Sequence, residues 1–175
     1  MPNKEINKMI IGKHILDTIS IGMYNYPLMV FREYIQNSAD AIDHLRRTSK
    51  NKVSNSKIEI TIDGRSRSIK IQDKATGIKA KEALSTLQNI GRSLKKANSN
   101  RGFRGIGRLG GLGYCDELRF VTKAKGESVY SVSKWDCNKL RKLISNNDSL
   151  DAMKLVESIA VLSQHKYTKN KKDHF

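Results

Sequence analysis

The stretch Phe31-Arg32-Glu33-Tyr34-Ile35-Gln36-Asn37-Ser38-Ala39-Asp40-Ala41-Ile42-Asp43 carries two faces at helical spacing. Phe31, Tyr34, Ile35, Ser38, Ala39, Ile42 and Leu45 recur at i, i+3, i+4 and i+7, which predicts a helix from about Leu28 to Arg47 with one apolar stripe. Glu33, Asn37 and Asp40, four and three residues apart, share the opposite face. Such a face has two readings. It is the solvated side of an amphipathic helix, or it sets a carboxylate base beside a neutral oxygen ligand. In the second reading an Asn carbonyl oxygen serves Mg²⁺ without adding charge, and substrate phosphates complete the shell. A Glu beside it can orient or deprotonate an attacking water.

Outward from this helix the pattern alternates. On the N-terminal side Met9, Ile11, Ile15 and Ile19 fit a helix, which Tyr24-Asn25-Tyr26-Pro27 interrupts. After a polar loop over Thr48 to Ser56, Ile58, Ile60 and Ile62 alternate with polar residues, as do Ser68 to Ile71. With the Asp63-Gly64 turn signal they predict a hairpin. The second strand ends at Asp73, followed by Lys74-Ala75-Thr76-Gly77-Ile78. An Asp at a strand end can accept a hydrogen bond from an exocyclic amine such as that of adenine, and Gly77 lets backbone pass close to a flat ring. An ordinary strand-to-helix turn has the same composition. A helix over Ala80 to Asn89 and a mobile loop over Gly91 to Arg101 follow.

Residues Gly102 to Gly113 hold six of the 12 glycines, with Phe103, Ile106, Leu109 and Leu112 interleaved. Their backbone N–H groups suit an anion-binding concavity. Gly105-Ile106-Gly107-Arg108-Leu109-Gly110 matches G-x-G-x-x-G, but a loop precedes it where the dinucleotide fingerprint needs a strand. Walker-type and protein-kinase signatures are absent from the sequence. Strands over Leu118 to Ala124 and Ser128 to Lys134, turning at Gly126, precede helices over Cys137 to Ile144 and Leu150 to Leu162.

The chain has 175 residues, one domain by length. Lys and Arg number 33 against 17 Asp and Glu, a net charge of +16 that favours polyanions, nucleic acid included. Cys115 and Cys137 are too few for a disulfide scaffold or a four-ligand zinc site and read as reduced intracellular thiols. No run approaches the roughly 18 apolar residues of a membrane span, so no membrane partner is expected. The close at Asp173-His174-Phe175 reads as a domain cut before its last strand from a longer protein.

In order and spacing, three segments resemble the boxes of the GHKL ATPases, the superfamily of gyrase-type topoisomerases, heat-shock chaperones, histidine kinases and MutL-type repair proteins. Phe31 to Asp43 looks like the first box, Asp73 to Ile78 the second, and Gly102-Phe103-Arg104-Gly105-Ile106-Gly107 the glycine-rich hinge of an ATP lid. Ile19 to Asn25 and Ile90 to Ala97 are similar to the ninety-kilodalton heat-shock chaperone branch, and the resemblance covers roughly residues 10 to 125. Ala75 departs from the second box, D-x-G-x-G, at its first glycine. The lid is short for a chaperone, and Gly102 to Gly105 is also similar to the MutL-type hinge.

The resemblance implies an α/β sandwich over 1–175: a mixed, mainly antiparallel sheet with helices on one face and a lid over 91–104. It implies ATP and Mg²⁺ as ligands, with Glu33 as general base, Asn37 as metal ligand and Asp40 in support. Asp73 would read the adenine amine, with Gly77, Ile78 and Thr122 nearby. Gly102, Gly105, Ile106 and Gly107 would face the phosphates, joined by Arg92 and Lys96 from the lid. The function implied is a cytoplasmic ATP-binding and ATP-hydrolysing domain acting as a nucleotide-dependent switch, through ATP-dependent dimerisation and downstream domains of the same protein. The alternative is a basic, nucleic-acid-associated ATPase module of MutL or topoisomerase type.

Overall fold

The computed structural model describes residues 11–18, 22, 26–48, 57–90, 106–146 and 151–175. A short helix, His14–Asp17 (α1), precedes the long helix Pro27–Thr48 (α2). Pro27 opens α2, where a fixed φ and a missing N–H cost nothing. Val30, Ser38 and Ile42 are its buried residues, of which Ser38 and Ile42 belong to the apolar stripe that the spacing predicts.

Strands Ile58–Asp63 (β1) and Ser68–Asp73 (β2) form an antiparallel hairpin that pairs Ile60 with Ile71 and Ile62 with Ile69. In its turn the Asp63 carboxylate accepts the amide of Arg65 at 2.9 Å and the hydroxyl of Ser66 at 2.6 Å. The helix expected over Ala80 to Asn89 is shorter: a 3₁₀ turn, Ala80–Glu82, runs into Ala83–Leu87 (α3). The Glu127 carboxylate accepts the Ala80 N–H at 3.1 Å and so fixes where the turn begins.

Residues Gly107–Gly113 coil as successive 3₁₀ turns. Strand Glu117–Thr122 (β3) then pairs antiparallel with Val129–Asp136 (β4). Helices Cys137–Ser145 (α4) and Ala152–Ile159 (α5) follow, each capped at its N-terminus by an aspartate. Asp136 accepts from the Lys139 N–H and Asp151 from the Met153 N–H, both at 2.8 Å. At the other end of α4 the Lys13 ammonium donates to the carbonyls of Leu143, at 2.9 Å, and Asn146.

The expected helix over Leu150 to Leu162 needs correction. It ends at Ile159, and Ala160–Lys166 is a strand (β5) that pairs with β4, Trp135 opposite Ala160 and Val129 opposite Lys166. The helical spacing of Val156, Ile159 and Ala160 is real, but the second edge of β4 offers a full ladder of hydrogen bonds, and that non-local gain overrides local periodicity. The α+β class stands, arranged as two antiparallel sheets, β1-β2 and β3-β4-β5.

Leu16, Leu109, Leu112, Trp135, Cys137, Leu140, Leu155 and Ile159 form the core. The leucines interleaved with glycines are thus core residues. Leu155, fully buried on α5, joins α1, α4 and the 3₁₀ coil through this cluster. We expect Leu155→Ala to lower the unfolding free energy by about 2–5 kcal/mol in a urea titration, whereas Met153→Ala, exposed on the same helix, should change it little.

Candidate functional site

A cleft of about 560 Å³ opens between α2, the end of β2, the 3₁₀ coil and β3. Glu33, Asn37 and Asp40 all line it, so the polar face of α2 looks into a half-enclosed space and not into bulk solvent. Glu33 lies against the glycine coil: a β-carbon on Gly107 would stand 2.5 Å from its Oε2. The Arg32 guanidinium lies 3.8 Å from the other carboxylate oxygen, Oε1. Asp40 accepts a hydrogen bond from the Gln36 side chain at 2.9 Å, which fixes one carboxylate oxygen on the cleft rim.

The opposite wall is the turn after β2. The Asp73 carboxylate accepts the Ala75 N–H at 3.0 Å, the bond that turns the chain out of the strand. Asp73, Thr76, Gly77 and Ile78 line the cleft. Ala75 is fully buried and is not part of the lining, so the methyl at this position points into packing and does not narrow the space. Gly77 has φ +63°, and a β-carbon there would lie 2.0 Å from the Lys123 carbonyl oxygen; only glycine fits. Thr122 lines the cleft. Its hydroxyl accepts the Ile78 N–H at 2.8 Å and donates to the Phe175 carbonyl at 2.9 Å. The hydroxyl therefore acts as a brace for the turn.

The third wall is the 3₁₀ coil. The Tyr34 hydroxyl donates to the Arg108 carbonyl and accepts the Gly111 N–H, both at 3.0 Å. A side chain at position 111 would meet that hydroxyl at 2.4 Å. Gly107 lines the cleft; Ile106 is half-buried beside it and does not. Arg92, Lys96, Gly102 and Gly105 lie outside the described residues, as does the whole lid expected over 91–104.

Tyr34, His44, Arg108 and Phe120 line the cleft and are not singled out as site residues by the sequence. Arg108 sits within the glycine motif, and its guanidinium donates to the carbonyls of Leu87, at 3.3 Å, and Asn89. Burial pulls its pKa below the ordinary arginine value. The apolar side of the cleft, from Phe31, Ile69, Ile71, Leu118 and Phe120, suits a flat ring, and its carboxylates and amide suit a polar, metal-bearing tail. Among the described residues no cluster of three or more His, Cys, Asp or Glu side chains is placed to hold a metal.

Residues 24–170 match the family described as histidine kinase-, DNA gyrase B- and HSP90-like ATPases. The chain belongs to that family. Its relatives include the chaperone protein HtpG of Natranaerobius thermophilus, 29% identical over 71% of this chain and 22% of that protein. HtpG of Rickettsia canadensis is 27% identical over 94% of this chain and 29% of that protein. HtpG of Wigglesworthia glossinidia brevipalpis is 32% identical over 56% and 18%. The chain spans less than a third of the length of these curated relatives.

The Tyr34 brace can be measured directly. Tyr34→Phe leaves the Gly111 N–H and Arg108 carbonyl without that partner, and we expect a loss of about 1–3 kcal/mol in chemical denaturation. A loss below a few tenths of a kcal/mol would show that the hydroxyl is not structural.

Proposed function

We propose that the cleft binds ATP together with Mg²⁺ and hydrolyses it. The adenine would sit at the Asp73–Ile78 turn, and the phosphates between α2 and the Gly107 coil. The observation that supports this reading most is the convergence of three distant segments on one space: Glu33 and Asn37, Asp73 and Gly77, and Gly107. The Asp73 carboxylate, with one oxygen on the Ala75 amide, would accept the exocyclic amine of the base. Asn37 offers one neutral oxygen. That fits a small hard cation which takes one or two protein oxygens and completes its shell from phosphates and water. Mg²⁺ bound there would neutralise charge on the transferring phosphoryl group.

Glu33 would act as general base. It takes the proton of the water that attacks the γ-phosphorus while the bond to the β,γ-bridging oxygen breaks, leaving ADP and phosphate. Its contact with Gly107 would couple the base to the coil that faces the phosphates. The lid residues Arg92 and Lys96, with Gly102 and Gly105, would close over the phosphates, and Asp40 would support the site from the α2 face. In the larger protein, closure would drive dimerisation and work on further domains, as a chaperone-like, cytoplasmic switch.

Calorimetric titration with Mg-ATP at moderate salt tests the binding. Asp73→Asn should remove the binding heat, and Glu33→Ala should keep it while turnover falls at least a hundredfold. Binding unchanged in Asp73→Asn would place the base elsewhere. Chelation with EDTA should abolish turnover in the unaltered protein. Gly107→Ala should displace the Glu33 carboxylate and lower kcat with little change in affinity.

A further inference from the structure

Cys115 and Cys137 lie side by side outside the cleft, with Sγ atoms 3.6 Å apart. The frame around them is stiff. Cys137 opens α4, its N–H donates to the Asp116 carbonyl at 3.0 Å, and the β3–β4 ladder begins at the next pair, Glu117 with Asp136. Arg141 on α4 donates to the Cys115 carbonyl at 2.8 Å and to the Asp116 carboxylate at 2.9 Å. The two thiols are 22 positions apart and need an approach of about 1.5 Å to reach disulfide bonding distance.

They also differ in environment. Cys115 is half-buried and Cys137 fully buried. The neighbouring Cys137 thiol, helped by the Arg141 guanidinium, holds the Cys115 pKa below its ordinary value against the effect of burial. Cys137 is pushed up, by its hydrogen bond to Cys115, by burial and by the charge of a Cys115 thiolate. Cys115 thus lies nearer the surface, while Cys137 is enclosed and adjacent, the arrangement in which an attacked cysteine has a resolving partner.

We propose that Cys115 and Cys137 form a peroxide-reactive dithiol that closes to an intramolecular disulfide. The Cys115 thiolate attacks one oxygen of hydrogen peroxide, the O–O bond breaks, and hydroxide leaves a sulfenic acid on Cys115. The Cys137 sulfur then attacks the Cys115 sulfur, the S–O bond breaks, and the Cys137 proton leaves with the hydroxyl as water. Two thiols are oxidised and one peroxide is reduced. The reduced Cys115 thiol also donates to the Gly111 carbonyl at 3.0 Å, so oxidation removes a hydrogen bond from the same residue that Tyr34 holds by its amide.

The test is intact mass and thiol titration after treatment with hydrogen peroxide in reductant-free buffer. The reduced protein should alkylate at both cysteines under denaturing conditions. After peroxide it should lose about 2 Da, resist alkylation completely and recover both thiols with dithiothreitol. In Cys137→Ser, Cys115 should stop at a sulfenic acid that dimedone traps; in Cys115→Ser, native Cys137 should stay unreacted. If either variant fails to fold, a proteolytic peptide linking the two cysteines in the unaltered protein decides alone. Disulfide-linked dimers, oxygen addition without the loss of 2 Da, or two thiols surviving peroxide that oxidises free glutathione would each overturn the proposal.

Discussion

One phenolic oxygen holds the site in register. By donating to the Arg108 carbonyl and accepting the Gly111 amide, Tyr34 fastens α2 to the 3₁₀ coil at two points of its backbone. The rest of the coil obeys that constraint. Gly111 has no room for a side chain in front of the hydroxyl, and Gly107 has none in front of Glu33. Leu109 and Leu112 pack instead into the core with Trp135 and Leu155. The alternation of glycine and leucine in this segment is therefore a division of labour between two sides of a tight coil, one bare for the helix and one apolar for the core.

The far wall of the cleft is held by backbone groups in a comparable way. The Gly77 turn lies directly on the Lys123 carbonyl, and Thr122 bonds the next amide. Lys123 itself is fully buried. Its ammonium donates to the carbonyls of Asp173, at 2.6 Å, and Lys171, at 3.1 Å, and lies 4.9 Å from the centre of the Tyr167 ring. A buried ammonium is costly without such acceptors. Its shell brings residues 167–175 against β3, where Phe175 exchanges both backbone hydrogen bonds with Lys123 and enters the cleft lining.

Much of this was legible in the sequence, and the limits have physical causes. The long helix, β3, β4 and α4 announce themselves by period, because each buries one face; the hairpin does so by alternation and its Asp63-Gly64 turn, although most of its isoleucines stay exposed. β5 does not: its residues take strand geometry for the sake of β4, to which they pair across the whole of α4 and α5. Glu33, Asn37, Asp40, Asp73, Gly77, Ile78, Thr122 and Gly107, which the family resemblance implied as neighbours, line one cleft, although no box alone distinguishes a site from a solvated face. Tyr34 escaped because its phenol belongs to the apolar stripe by spacing and acquires a role only from Gly111, 77 positions on. Arg108 and His44 escaped for the same reason, since nothing local marks which way they face.

The hairpin has a consequence for how the protein breathes. Among the described residues β1 and β2 pair only with each other, and Ile60, Ile62 and Ile69 remain about half exposed or more. A two-stranded ribbon has little stability of its own and depends on what it leans against, here α2. Asp73 terminates that ribbon. A molecule spanning from Asp73 to the α2 face would serve as the packing that the hairpin otherwise lacks. Amide exchange in β1 and β2 would then slow with occupancy of the cleft, and the least cooperative part of the fold would report most directly on its ligand.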